Sequence, residues 1–183
     1  MPTQDHQPDH DAAPDPDPDP AAAPSENHPS GTEHGRPVVG YLEAVGLPEW
    51  GVRGIRAKID TGARTSAIHV ESLELSDDKT VARFNVVVDP KHPEGHVPAE
   101  APVVRVSKVR PSTGVRQRRI VVETTMQLGP VEKRIEVSLV RRDNMTCRML
   151  VGRTALGEDF LIDASLKHVH GRPRRVKPRG KKP

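Results

Sequence analysis

Asp60 stands in the stretch Lys58-Ile59-Asp60-Thr61-Gly62-Ala63. An apolar run delivers the acid to an Asp-Thr-Gly turn, and a second run, Ser66-Ala67-Ile68-His69-Val70, leaves it. That grouping suits a carboxylate held rigidly while it handles a proton. The incoming strand fixes the Asp60 backbone, and the Thr61 hydroxyl can hydrogen-bond across the site. Gly62 can take a positive φ and bring its N–H up to the carboxylate. A lone Asp-x-Gly is also an ordinary turn sequence, so its position between two strands is what makes it a candidate. One chemistry open to such a carboxylate is water activation by a pair sharing one proton: one is ionised to accept a proton from water, the other protonated to polarise a carbonyl. Like charges about 3 Å apart cannot both ionise. The chain has one Asp-Thr-Gly, so the second carboxylate is expected from a second copy across a two-fold axis. Asp163, in Phe160-Leu161-Ile162-Asp163, is the alternative within one chain, but no Thr-Gly follows it.

Other residue types point elsewhere or nowhere. Arg105, Lys108, Arg110, Arg116, Arg118 and Arg119 form a basic run. It reads either as a solvated strand edge or as a rim that attracts an acidic substrate such as a glutamate-rich tail. Ala63 and Arg64, just after the turn, join Arg105 and Arg119 as expected substrate contacts. No HExxH and no cluster with zinc-ligand spacing occurs, so no metal is expected. His69 reads as a partly exposed strand residue. There is no GxxxxGK[ST] loop for a nucleotide, and neither Ser66 nor Ser112 sits in GxSxG. No cofactor is expected. Cys147 is the sole cysteine, which excludes an internal disulfide, and it reads as a core residue beside Met149.

The elements that must position Asp60 are short. Between Val38 and Val169, runs of Val, Ile and Thr recur, broken by Gly, Pro and Asp. Strands are expected at 38–45, 54–59, 66–70, 82–88, 103–109, 120–128, 131–140, 149–151 and 160–162, with one helical turn at 153–157. In 131–140, Ile135, Val137 and Leu139 alternate with Arg134, Glu136 and Ser138, the period of a half-buried strand. Gly129-Pro130 makes it a hairpin with 120–128. Residues 89–102 carry four prolines and read as an exposed loop. The whole is an all-β fold.

The ends differ from this middle. Residues 1–36 hold eight prolines and no Val, Ile, Leu or aromatic residue. Such a segment cannot bury enough apolar surface to offset the entropy of ordering it. Its His6, His10, His28 and His34 have no fixed ligand geometry. Residues 171–183 carry seven Lys and Arg and no acid, in a chain of net charge +3. This reads as a disordered basic tail with at most a weak, non-reading contact to nucleic acid. The expected organisation is therefore a disordered acidic segment 1–36, a domain 37–170 and a basic segment 171–183. Met1 is followed by no basic start or apolar run, and no stretch approaches a membrane span, so a cytoplasmic protein is expected.

Four stretches carry a resemblance: residues 58–67, Arg119-Ile120-Val121-Val122, residues 135–140 and Met149-Leu150-Val151-Gly152-Arg153-Thr154-Ala155-Leu156. Together they resemble the bacterial retropepsin-like aspartic peptidase family often labelled ATP-dependent zinc protease. The resemblance runs from about Val38 to Ser165 and is most specific at the Asp-Thr-Gly and Leu-Val-Gly motifs. It implies a small closed β-barrel, usually homodimeric, in some genomes associated with ligases that attach glutamate tails to proteins. It also implies that Leu150, Val151, Gly152 and Arg153 pack beside the Asp-Thr-Gly turn and support it, ahead of a short helix. The zinc and ATP of the label have no counterpart among the motifs above. The reading is an aspartic endopeptidase acting on a protein or peptide, with glutamate-rich tails the substrate class to try first. Its alternative is a catalytically silent module that binds a ligase or ribosomal partner through its basic surface. Intact Asp60, Thr61 and Gly62 favour the enzyme.

Overall fold

Period-two alternation through the middle of the chain produces strands, and the computed structural model assembles them. It describes residues 32–33, 35–89, 95–109, 117–141 and 147–172. In chain order the strands are β1 (Thr32–Glu33), β2 (Arg36–Val39), β3 (Leu42–Leu47), β4 (Val52–Ile59), β5 (Ser66–Leu75), β6 (Val81–Val87), β7 (His96–Val109), β8 (Gln117–Leu128), β9 (Val131–Val140), β10 (Met149–Val151) and β11 (Leu161–Ile162). A 3-10 turn, Pro48–Trp50, links β3 to β4, and one short helix, α1 (Arg153–Leu156), follows β10. The acidic segment up to residue 31 and the basic segment from residue 173 lie outside the described residues. So do His34, Arg110, Ser112 and Arg116.

The main sheet runs β10-β4-β3-β8-β7-β6-β5, and β5 pairs back to β10, so the pairings close into a ring. β9 bridges the ring between β8 and β5. A second, three-stranded sheet has the order β1-β2-β11. The β8–β9 hairpin turns through Gly129 at φ 57 and Pro130, with Leu128 opposite Val131. A positive φ at the first position of a two-residue turn matches the twist of the flanking strands. Ile135, Val137 and Leu139 point into the core, where Trp50 and Phe84 meet edge to face at 5.1 Å.

Two expectations are corrected. The run 38–45 is two strands, because the chain changes sheet at Gly40. An added Cβ there would lie 2.2 Å from the Leu166 carbonyl oxygen, so the two backbones cross in contact. Part of the expected loop 89–102 is strand: residues 96–102 pair with β6 from Val87–His96 to Val81–Pro102. Pro98 and Pro102 are four residues apart, so the N–H groups they lack fall on the same edge. The Val103 amide donates to the Thr80 carbonyl at 2.7 Å, so odd-numbered residues of β7 turn their N–H toward β6, the two prolines face away, and β6 keeps its ladder.

Candidate active site

β10 lies between the two strands that flank the Asp-Thr-Gly turn. It pairs in parallel with β4, Val151 opposite Ile59, and antiparallel with β5, Leu150 opposite Ala67. The turn is thus the tip of a three-strand support. Its backbone enters pinned, the Asp60 amide donating to the Val151 carbonyl at 3.0 Å. The half-buried Asp60 carboxylate is oriented by its own turn: Oδ1 accepts from the Gly62 amide at 3.0 Å and the Ala63 amide at 3.1 Å.

Gly62 acts differently from the expectation. Its φ lies outside the left-handed region. What glycine supplies is room, since an added Cβ would sit 3.2 Å from Asp60 Oδ1. Thr61 is exposed on the turn.

Three of the four expected supporting residues, Val151, Gly152 and Arg153, meet the turn, and Leu150 pairs with Lys58 and Ala67 on the strands that flank it. Leu150 and Val151 form the central strand. Gly152 lies against the Arg64–Thr65 backbone so closely that an added Cβ would meet the Thr65 carbonyl carbon at 2.8 Å. Its amide donates to the Ser66 hydroxyl at 3.1 Å. Arg153 grips the turn from the far side. One guanidinium nitrogen donates to the Thr61 carbonyl at 2.6 Å and the Gly62 carbonyl at 3.0 Å, and its amide donates to Ala63. Thr154 adds two bonds to the Arg64 carbonyl, from its amide and its hydroxyl. Ser66 and Thr154 were missed as supports. Their hydroxyls are ordinary in sequence and gain a role only when residues some ninety positions apart meet.

The four expected substrate contacts are brought together. Ala63, Arg64, Arg105 and Arg119 line one cavity of about 590 Å³, with Thr65, Glu136 and Ser138. The cross-strand row Arg105–Val121–Ser138 puts β7, β8 and β9 side by side under it. Arg105 forms an ion pair with Glu136. Glu136 and Ser138 were legible only as strand residues, because strand register is invisible in the sequence.

The Asp163 carboxylate accepts from the Ser165 amide at 2.8 Å and hydroxyl at 2.6 Å, forming a closed turn of its own. His69 is buried rather than partly exposed. It sits 4.0 Å from the Glu71 carboxylate, which also meets His96 at 3.3 Å. Cys147 is half-buried. Among the described residues, no three His, Cys, Asp or Glu side chains are grouped as a metal site requires.

A family model described as the retropepsin-like aspartic endopeptidase RimB matches residues 38–173. The chain belongs to that family. Relatives include probable alpha-L-glutamate ligases from Shewanella pealeana, 31% identical over 130 residues, and Parasynechococcus marenigrum, 32% identical over 136 residues. These matches cover 70% and 73% of this chain but 28% and 29% of the ligases, so the chain spans under a third of the length of these relatives. A Legionella pneumophila crystal structure, described as a protein of unknown function (DUF785), superposes with a TM-score of 0.60 at 25% identity. That match covers 72% of this chain and 95% of the other. The all-β class and the family read from the two motifs therefore stand.

Proposed function

We propose that this chain is a peptidase that cleaves glutamate-rich segments, working as a homodimer in which each protomer contributes Asp60. The observation that carries the reading is the Asp60 turn itself. One carboxylate oxygen is held by the amides of Gly62 and Ala63, on a three-strand support, and Ala63 in turn lines a cavity with Arg64, Arg119 and the Arg105–Glu136 pair. In the dimer, the ionised Asp60 takes a proton from water as the water oxygen attacks the scissile carbonyl carbon. The protonated Asp60 donates to the carbonyl oxygen. Collapse of the tetrahedral adduct then breaks the C–N bond: the leaving amine takes the proton held by the first carboxylate, and one hydroxyl of the adduct returns its proton to the second as the product carboxyl group forms. Arg64, Arg105 and Arg119 supply positive charge for glutamate side chains. The glutamate ligases that share this domain support the same substrate class. The test compares wild type with Asp60→Asn on an oligoglutamate-tailed protein, with dimerisation followed by sedimentation. Cleavage lost in the variant supports the reading, and equal cleavage by both proteins overturns it.

The second reading is a binding module without catalysis. It is favoured by the domain's occurrence as under a third of much longer ligases. Saturable binding of an oligoglutamate tail by wild type, without cleavage under any condition that preserves the dimer, would establish it.

A further inference from the structure

The start of β4 has a second cavity, of about 680 Å³, that shares no lining residue with the one at Ala63 and Arg64. β4 has eight residues, with Val52 at one end and Asp60 just beyond the other. At 3.3 Å per residue the two ends are about 25 Å apart. Arg53, Gln127, His170 and Arg172 supply its polar lining, and no carboxylate lines it. The mechanism above uses none of these residues.

The site is assembled by a buried acid. Glu43 is fully buried, and its carboxylate accepts from the amides of Gly40 at 2.7 Å, Val169 at 3.1 Å and His170 at 3.4 Å. Those bonds strap the segment after β11 across β2 and β3. The His170 ring then donates from Nε2 to the Val38 carbonyl at 2.8 Å. Gly129 makes room for that ring, since a Cβ there would lie 2.6 Å from it. The strap thereby holds His170 and Arg172 beside Arg53. Glu43 turns its charge inward onto amides, and Asp163 spends its charge on Ser165. Exposed Arg56 and Lys167 lie near the same strap. Their positive field, with that of Arg172, acts on His168: burial first, and these three cations after it, push the imidazole below its ordinary value against the opposite pull of Glu43. Beyond Arg172 the sequence continues Pro173-Arg174-Arg175-Val176-Lys177, with no acid to its end.

We propose that this face, centred on Arg53, His170 and Arg172 with Arg56 and Lys167, binds the phosphate backbone of a nucleic acid without reading its sequence. Guanidinium forks match phosphate oxygens. No Phe, Tyr or Trp lines the cavity to stack a base, and the His170 ring is held by the Val38 carbonyl. Protein partners are held chiefly by Trp, Tyr and Arg in well-packed, desolvated pockets; this lining has no Trp or Tyr, and its two arginines are exposed.

The test is fluorescence anisotropy of the full chain with a fluorescein-labelled oligouridylate, across a salt series. Binding should weaken steadily with salt. Arg53→Ala with Arg172→Ala should flatten the log–log slope by about 1.4, at about 0.7 per single-strand phosphate contact. Both residues are exposed, so circular dichroism should be unchanged. Arg83→Ala, in the exposed pair with Glu100 on β6 and β7, should leave binding as it is. Three results would overturn the proposal. The double variant could keep wild-type affinity and slope, which would assign binding to the basic tail alone. An oligoglutamate peptide could displace the oligouridylate equally well at matched charge. The wild type could fail to bind even at low salt.

Discussion

The Gly152 amide donates to the Ser66 hydroxyl at 3.1 Å, joining two buried residues 86 positions apart. This bond ties the Leu-Val-Gly strand to the first residue of β5, the strand that leaves the Asp60 turn. Ser66→Ala should leave a buried donor without its acceptor and cost about 1–3 kcal/mol. Gly152→Ala should cost at least as much, because the added Cβ meets backbone atoms of Thr65 and Arg64 that have no rotamer to yield. Urea unfolding of both variants checks this. A midpoint unchanged from wild type in Gly152→Ala would refute the close approach.

Arg153→Ala should separate function from stability. The side chain is exposed, and its two bonds end on the carbonyls of Thr61 and Gly62. Their loss should loosen the turn and lower kcat by about 10- to 100-fold, with the melting temperature nearly unchanged. Arg153→Lys should recover only part of the rate, since an ammonium does not reproduce the guanidinium's planar donors.

Asp60→Asn should abolish hydrolysis and keep the fold, because the amide is nearly isosteric and still accepts at Oδ1. If two Asp60 side chains share a proton, the wild-type rate should be bell-shaped in pH, with both limbs belonging to the pair. A monomer that cleaves at every concentration would refute the shared pair.

Stability should fall on acidification through His168. Its folded value is depressed, so above the unfolded value both states hold it neutral and stability is complete. As pH falls through the unfolded value, the unfolded chain binds a proton that the native chain resists, and stability declines until the folded value is passed. His168→Asn should flatten this part of the profile. Asn is chosen because the residue sits at φ 57, a region that Asn tolerates. Thermal melts across the acid range measure it. An equal slope in the variant would assign the loss to the carboxylates, such as Glu49, which hydrogen bonds from Thr125 and the charge of Arg134 hold below the ordinary range.

Local chemistry was legible in the sequence. Asp60-Thr61-Gly62 between two apolar runs, the alternation of 131–140 and the Gly129-Pro130 turn are local patterns, set by side-chain period and backbone freedom. The resemblance carried by the two motifs was enough to name the family and to point at Val151, Gly152 and Arg153, which meet the turn. Tertiary structure decided what depends on register and crossing. It put Glu136 and Ser138 beside the arginines, because β9 fell next to β8 with Ser138 opposite Val121. It made His69 a buried residue, because β5 runs between other strands of the ring. It turned the prolines at 98 and 102 into strand residues, because the missing N–H groups fell on an edge that β6 does not use. It also bent the chain at Gly40, where Glu43 gathers amides from far along the chain. None of these has a local signature: each depends on which strand arrives beside which, and many pairings share one period of two.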